Sequence, residues 1–167
     1  MINFRRILSF WLLLAVLSVA CNDEIIYKES TEPENAVWTA DFVPTFQIPV
    51  SEPNRQYDIY LQIEAANDFR TQNLWMFYQI EAPDGSIQND TVEYNLFDEK
   101  GRPYGKTSGD KIIFELLYKA MVSFPEKGTY TLRAEQGMRL GQEPLVSEIS
   151  LLLKPTRFSP EKQSKKE

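Results

Sequence analysis

The sequence predicts an all-β fold: a single antiparallel β-sandwich, immunoglobulin-like or jelly-roll-like, with one short helix at most. Three observations carry this. Apolar and polar residues alternate strictly in several short stretches, and glycine-containing turns such as Pro83-Asp84-Gly85-Ser86, Glu99-Lys100-Gly101 and Glu126-Lys127-Gly128 separate them. No long stretch has the periodicity of an amphipathic helix. Successive side chains of a strand point to opposite faces, so alternation marks a strand with one buried face. Repeated short strands between tight turns mark a sandwich.

The chain opens with Arg5 and Arg6, no acid, and then an apolar run over residues 7–19 containing Phe10, Trp11, Leu12, Leu13 and Leu14. A membrane-spanning helix needs about 20 apolar residues, so the run is too short to stay as an anchor. Residues 1–20 therefore read as a signal peptide that is removed. The only cysteine follows the small residue Ala20, in a setting that resembles a bacterial lipobox with Ser18 where a large aliphatic residue is usual. Cys21 is expected to be acylated, to become the mature N-terminus and to bind the chain to membrane lipid. Acylation leaves no thiol for a disulfide, so packing alone must hold the fold.

Removing the first twenty of 167 residues leaves 147, enough for one domain with a proper core. Residues 21–36 are polar and are expected to be a flexible tether, with the domain over residues 37–153. Within it, residues 57–64 put Tyr57, Ile59, Leu61 and Ile63 on one face. Residues 73–80 are apolar on both faces (Leu74, Trp75, Met76, Phe77, Tyr78, Ile80), which predicts a central strand covered on each side. Residues 91–96 turn Val92, Tyr94 and Leu96 inward, and residues 129–136 turn Tyr130, Leu132 and Ala134 inward. Residues 111–122 fit a short helix or a further strand equally well, because Ile112, Phe114 and Leu116 alternate. Residues 147–153 supply a last strand, and the lysine-rich stretch 154–167 is expected to be a disordered tail.

Function classes are narrowed by what the chain carries. The signal peptide holds two arginines and no acids, so the mature chain has 16 basic and 24 acidic residues, a net charge of −8. Such a chain does not bind phosphate backbones, and nucleic acid is excluded as a partner. The chain has no histidine, which removes the commonest general base and the commonest metal ligand. Carboxylate-only chemistry remains open in form, but no pair of acids is marked out, and the expectation is a protein that is not an enzyme and needs no cofactor or metal. The loop Gly101-Arg102-Pro103-Tyr104-Gly105-Lys106-Thr107 has three residues between its glycines where a phosphate-binding loop has four. It reads as a β-turn loop, with no nucleotide expected.

Trp75, Phe77 and Tyr78 could stack on a sugar, but on a central strand they read as core. Asp90-Thr91-Val92 matches a short O-glycosylation pattern of exported proteins in gliding-type bacteria, which makes Thr91 a candidate acceptor. The acidic pair Asp23-Glu24 resembles short signals that send lipoproteins of that phylum to the cell surface.

Taken in order, Trp38 with Phe42, residues 57–63, Asn73-Leu74-Trp75, Pro83-Asp84-Gly85, Asp90-Thr91, Gly101 with Gly105, Gly128-Thr129-Tyr130 and Gln136-Gly137-Met138-Arg139 resemble the gliding motility lipoprotein family of GldH type. The chain departs from that pattern at Pro103-Tyr104, where a tryptophan is expected, and at Gly137, inserted before the Met-Arg pair. The resemblance implies an outer-membrane-associated lipoprotein that works with other envelope proteins in gliding and type IX secretion, and it supplies no catalytic residue. Two readings follow: an assembly component of an envelope machine, which the resemblance favours, and a surface carbohydrate- or peptide-binding lipoprotein.

Overall fold

The computed structural model describes residues 24–156, Leu140 excepted; Cys21, the signal peptide and the end of the tail lie outside the described residues. Eleven strands are described: β1 (Tyr27–Thr31), β2 (Val37–Thr39), β3 (Thr45–Val50), β4 (Gln56–Ala66), β5 (Asn73–Glu81), β6 (Ile87–Asn95), β7 (Lys106–Ser108), β8 (Lys111–Ser123), β9 (Gly128–Gln136), β10 (Gln142–Pro144) and β11 (Val146–Pro155). A five-stranded sheet in the order β1-β11-β4-β8-β7 packs on a four-stranded sheet in the order β3-β9-β5-β6, and β2 pairs with β10 beside them. Every pairing is antiparallel. The all-β sandwich is thus the observed architecture, and residues 111–122, open between helix and strand, belong to β8.

The inward residues of β4 and β9 are those that alternation selects: Ile59, Leu61, Ile63, Leu132 and Ala134 are buried. The Tyr78 ring of β5 stacks on Tyr118 of β8 at 3.9 Å between centroids, joining the two sheets. Two aromatic groups close the ends of the core. At the end where β1 starts, Phe124 packs against Tyr57 and Tyr130; here Pro155 pairs with Tyr57, Ser123 with Gln56 and Gly128 with Val50. We call this the near end. At the opposite, far end Phe69, Phe97 and Phe114 pack together, and Lys111 pairs with Ala66.

Three expectations are corrected. Strand β5 is covered on one face, not two: Leu74, Met76, Tyr78 and Ile80 are buried, while Trp75 and Phe77 are 41% and 45% exposed. In a two-layer antiparallel sandwich each sheet has one packed face, so half of an apolar run must turn outward. Residues 27–31, expected within the tether, form β1 on the edge of the larger sheet. An edge strand with a small buried face needs few apolar residues, so its polar sequence hides it. Finally, Lys154 and Pro155 continue β11 beyond the expected boundary at Leu153. Lys154 reaches Glu115 at 2.6 Å and lies over the Tyr60 ring.

Strand β1 also shields the outer edge of β3. The Gln47 N–H donates to the Glu29 carboxylate at 2.7 Å, and the Tyr27 hydroxyl donates to the Gln47 carbonyl. Pro49, next along β3, has no N–H to offer a neighbour. Both devices block edge-to-edge pairing.

Candidate functional site

At the far end, the β4–β5 loop and the segment after β9 enclose a groove of about 640 Å³ lined by Thr71, Gln72, Asn73, Trp75, Gly137, Met138, Arg139 and Glu143. Trp75 lies there because β5 alternation turns it outward near the strand's start. The Gly137 N–H donates to the Trp75 carbonyl at 2.8 Å, extending the β5–β9 pairing by one residue. The buried Gln136 side chain then fixes the turn that follows, its carbonyl oxygen accepting the Met138 N–H at 2.8 Å. Gly137 is needed for space: a β-carbon there would lie 2.7 Å from the Phe77 ring.

Glu143 enters from β10, opposite Trp38 of β2. Trp38 is wholly buried and its indole N–H donates to the Phe42 carbonyl at 2.9 Å, so the small β2–β10 pair is rooted in the core. Burial pushes the Glu143 carboxyl up from its ordinary range, partly offset by a hydrogen bond from the Thr71 hydroxyl. The groove therefore offers an indole face, a thioether, an exposed guanidinium and a reluctant carboxylate. Among the described residues that line it, Glu143 is the only acid, and they form no acid–base pair. The groove's side chains can stack and hydrogen-bond.

The residues singled out from sequence fall in different places. Trp75 and Phe77 share the outer face of the smaller sheet, whereas Tyr78 is core, its hydroxyl 3.1 Å from that of Tyr94. Thr91 is exposed on β6, opposite Phe77 in register. Its neighbour Asp90 points the other way, bonded to the Tyr118 hydroxyl at 2.7 Å and to Lys119 at 2.5 Å. These two bonds, Lys119 first, hold the Asp90 carboxyl below its ordinary range. Residues 101–107 lead through a turn into β7 and precede no helix, as the glycine spacing implied. Among the described residues no group of three potential ligands could hold a metal ion, and no helix is long and apolar enough to cross a membrane. Cys21, the expected lipidation site, lies outside the described residues. Sequence reasoning missed Thr71 and Glu143, whose roles arise only when β10 pairs with β2. Met138 and Arg139 were visible as part of a motif without a role.

Comparison with known proteins gives a consistent family. The model of the GldH lipoprotein family matches residues 25–151. The chain is similar to a gliding motility lipoprotein GldH homolog of Christiangramia forsetii, 30% identical over 74% of this chain and 75% of that one. It is likewise 30% identical to gliding motility lipoprotein GldH of Flavobacterium johnsoniae, over 77% of this chain and 79% of that one. Among solved structures, one titled for the infectious bursal disease virus Gx strain matches at a TM-score of 0.31 and 14% identity, covering 78% of this chain and 30% of that one. That likeness carries no functional reading.

Proposed function

The chain belongs to the GldH lipoprotein family, and from that premise we propose that it is an outer-membrane lipoprotein, anchored through acylated Cys21, that serves as a non-catalytic assembly component of gliding and type IX secretion machinery. The coarser part follows from the family, whose members are lipid-anchored proteins of the cell envelope. The observation that carries the finer part is the far-end groove: exposed Trp75 and Arg139, with the half-buried Met138 between them and the core, form a contact surface without an acid–base pair, as suits a protein that docks rather than turns over a substrate. Thr91 is exposed as a glycan acceptor would have to be.

Deletion in the source bacterium tests this. Loss of type IX cargo from the medium, restored by the wild-type chain and not by Cys21→Ala or by the pair Trp75→Ala, Arg139→Ala, is the expected result. Unchanged secretion in the deletion strain contradicts it. A second reading has one observation in its favour: an indole beside Asn73, Arg139 and Glu143 also suits a glycan or peptide. Saturable binding of cell-surface glycan to the wild-type chain, lost in Trp75→Ala, together with normal secretion, would favour that reading.

A further inference from the structure

The way the chain leaves Cys21 limits where its domain can sit. Strand β1 starts at Tyr27, and Ile26 is already fixed to the larger sheet, its N–H donating to the Leu153 carbonyl at 2.9 Å. The link from Cys21 to Ile26 is therefore five residues, which even fully extended reaches no more than about 18 Å. A tether of the length read from sequence would let the domain turn freely; a link this short, with Cys21 acylated, would keep the near end close to the surface where the acyl chains enter.

That end carries exposed apolar side chains. Ile25 and Ile26 are 47% and 38% exposed. Met121 and Ile87 are exposed too, the first two residues before the end of β8 and the second at the start of β6. Met121 is held outward by a bulge in the β4–β8 pairing, with φ at 54°, where side chains other than glycine are rare. The Asp58 carboxylate secures it, accepting the Met121 N–H at 2.9 Å and the Thr156 hydroxyl at 2.8 Å. Apolar side chains at the rim of an anchored domain are stabilised by entering the interfacial layer of a bilayer.

We propose that the near end of the sandwich, through Ile25 and Ile26 on the β1 side and Met121 and Ile87 farther across the same end, rests on the lipid surface, so that the Trp75 groove at the far end is turned away from the membrane. The occupant of this apolar rim is lipid because the anchor leaves it within reach of nothing nearer. The proposal rests on acylation of Cys21.

The test uses the full processed chain in vesicles of phosphatidylethanolamine and phosphatidylglycerol carrying a quencher just below the headgroups. With Cys21 acylated, a cysteine introduced as Ser51→Cys near the lipid, or as Lys100→Cys at the far end, is the only thiol and takes one fluorophore. Quenching several-fold stronger at position 51 than at position 100, reduced when Ile25→Ser and Ile26→Ser are added, is the expected result. Equal quenching at the two positions, or a difference that the serine pair leaves unchanged, overturns the proposal. Intact mass on the same sample separates the premises: acylated Cys21 with equal quenching refutes the orientation alone, and an unmodified Cys21 removes both.

Discussion

The ring of Phe77 lies so close over Gly137 that a β-carbon on the glycine would come within 2.7 Å of it. The two residues tie the exposed face of β5 to the turn that carries Met138 and Arg139. Gly137→Ala should therefore push the ring aside and cost about 1–2 kcal/mol, as overpacking does. Because Phe77 is 45% exposed, removing its ring should relieve the clash. Urea denaturation of both single variants and of the pair Gly137→Ala, Phe77→Ala checks this; the pair should be clearly less destabilised than the sum of its parts.

The Tyr118 ring packs between the sheets while its hydroxyl bonds Asp90. Tyr118→Phe keeps the stack and loses the bond, an expected loss of about 1 kcal/mol, whereas Tyr118→Ala should lose about 3–5 kcal/mol. Asp90 also gives a pH dependence. Its carboxyl is held below the ordinary range, so its stabilisation is present above the unfolded value and is lost as the pH falls through the folded one. Denaturation midpoints measured from neutral to acidic pH should fall less for Asp90→Asn than for the wild type.

Glu143 has the opposite sign. Burial raises its carboxyl, so the folded state favours the protonated form, and its contribution is lost as the pH rises through the raised value. Glu143→Gln can still accept the Thr71 hydroxyl bond without burying a charge. It should melt at or above the wild-type temperature at neutral pH and lose that advantage in acid, as differential scanning calorimetry at the two pH values would show.

How much could be read from the sequence depended on where apolar side chains pointed. Strands with one packed face, such as β4 and β9, announced themselves because Ile59, Leu61, Ile63, Leu132 and Ala134 had to be buried. Strand β1 did not, since Lys28, Glu29 and Ser30 gain their place from a ladder with β11 and from bonds to Gln47 that no local pattern encodes. Trp75 and Phe77 misled for the converse reason: their apolarity suggested core, yet they lie on the outer face. Glu143 joins the groove through a pairing with Trp38 more than a hundred residues earlier, a relationship invisible to periodicity.

Strand β1 has a direct consequence for where the domain begins. A chain starting at Val37 should be less stable than one starting at Glu24 and should self-associate, because the outer edge of β11 and the Gln47 edge of β3 are then bare. Glu29→Ala in the longer chain should show a milder form of the same behaviour. Sedimentation velocity of the three proteins distinguishes them.

The proposed lipid attachment at Cys21 underlies both the proposed assembly role and the proposed orientation of the groove, and intact-mass spectrometry of the wild-type protein extracted from membranes tests it most directly. The expected species begins at Cys21 and carries the added mass of acyl chains, and Cys21→Ala should abolish that species. A mature protein with an unmodified Cys21, or with its N-terminus at another residue, would contradict the lipoprotein assignment.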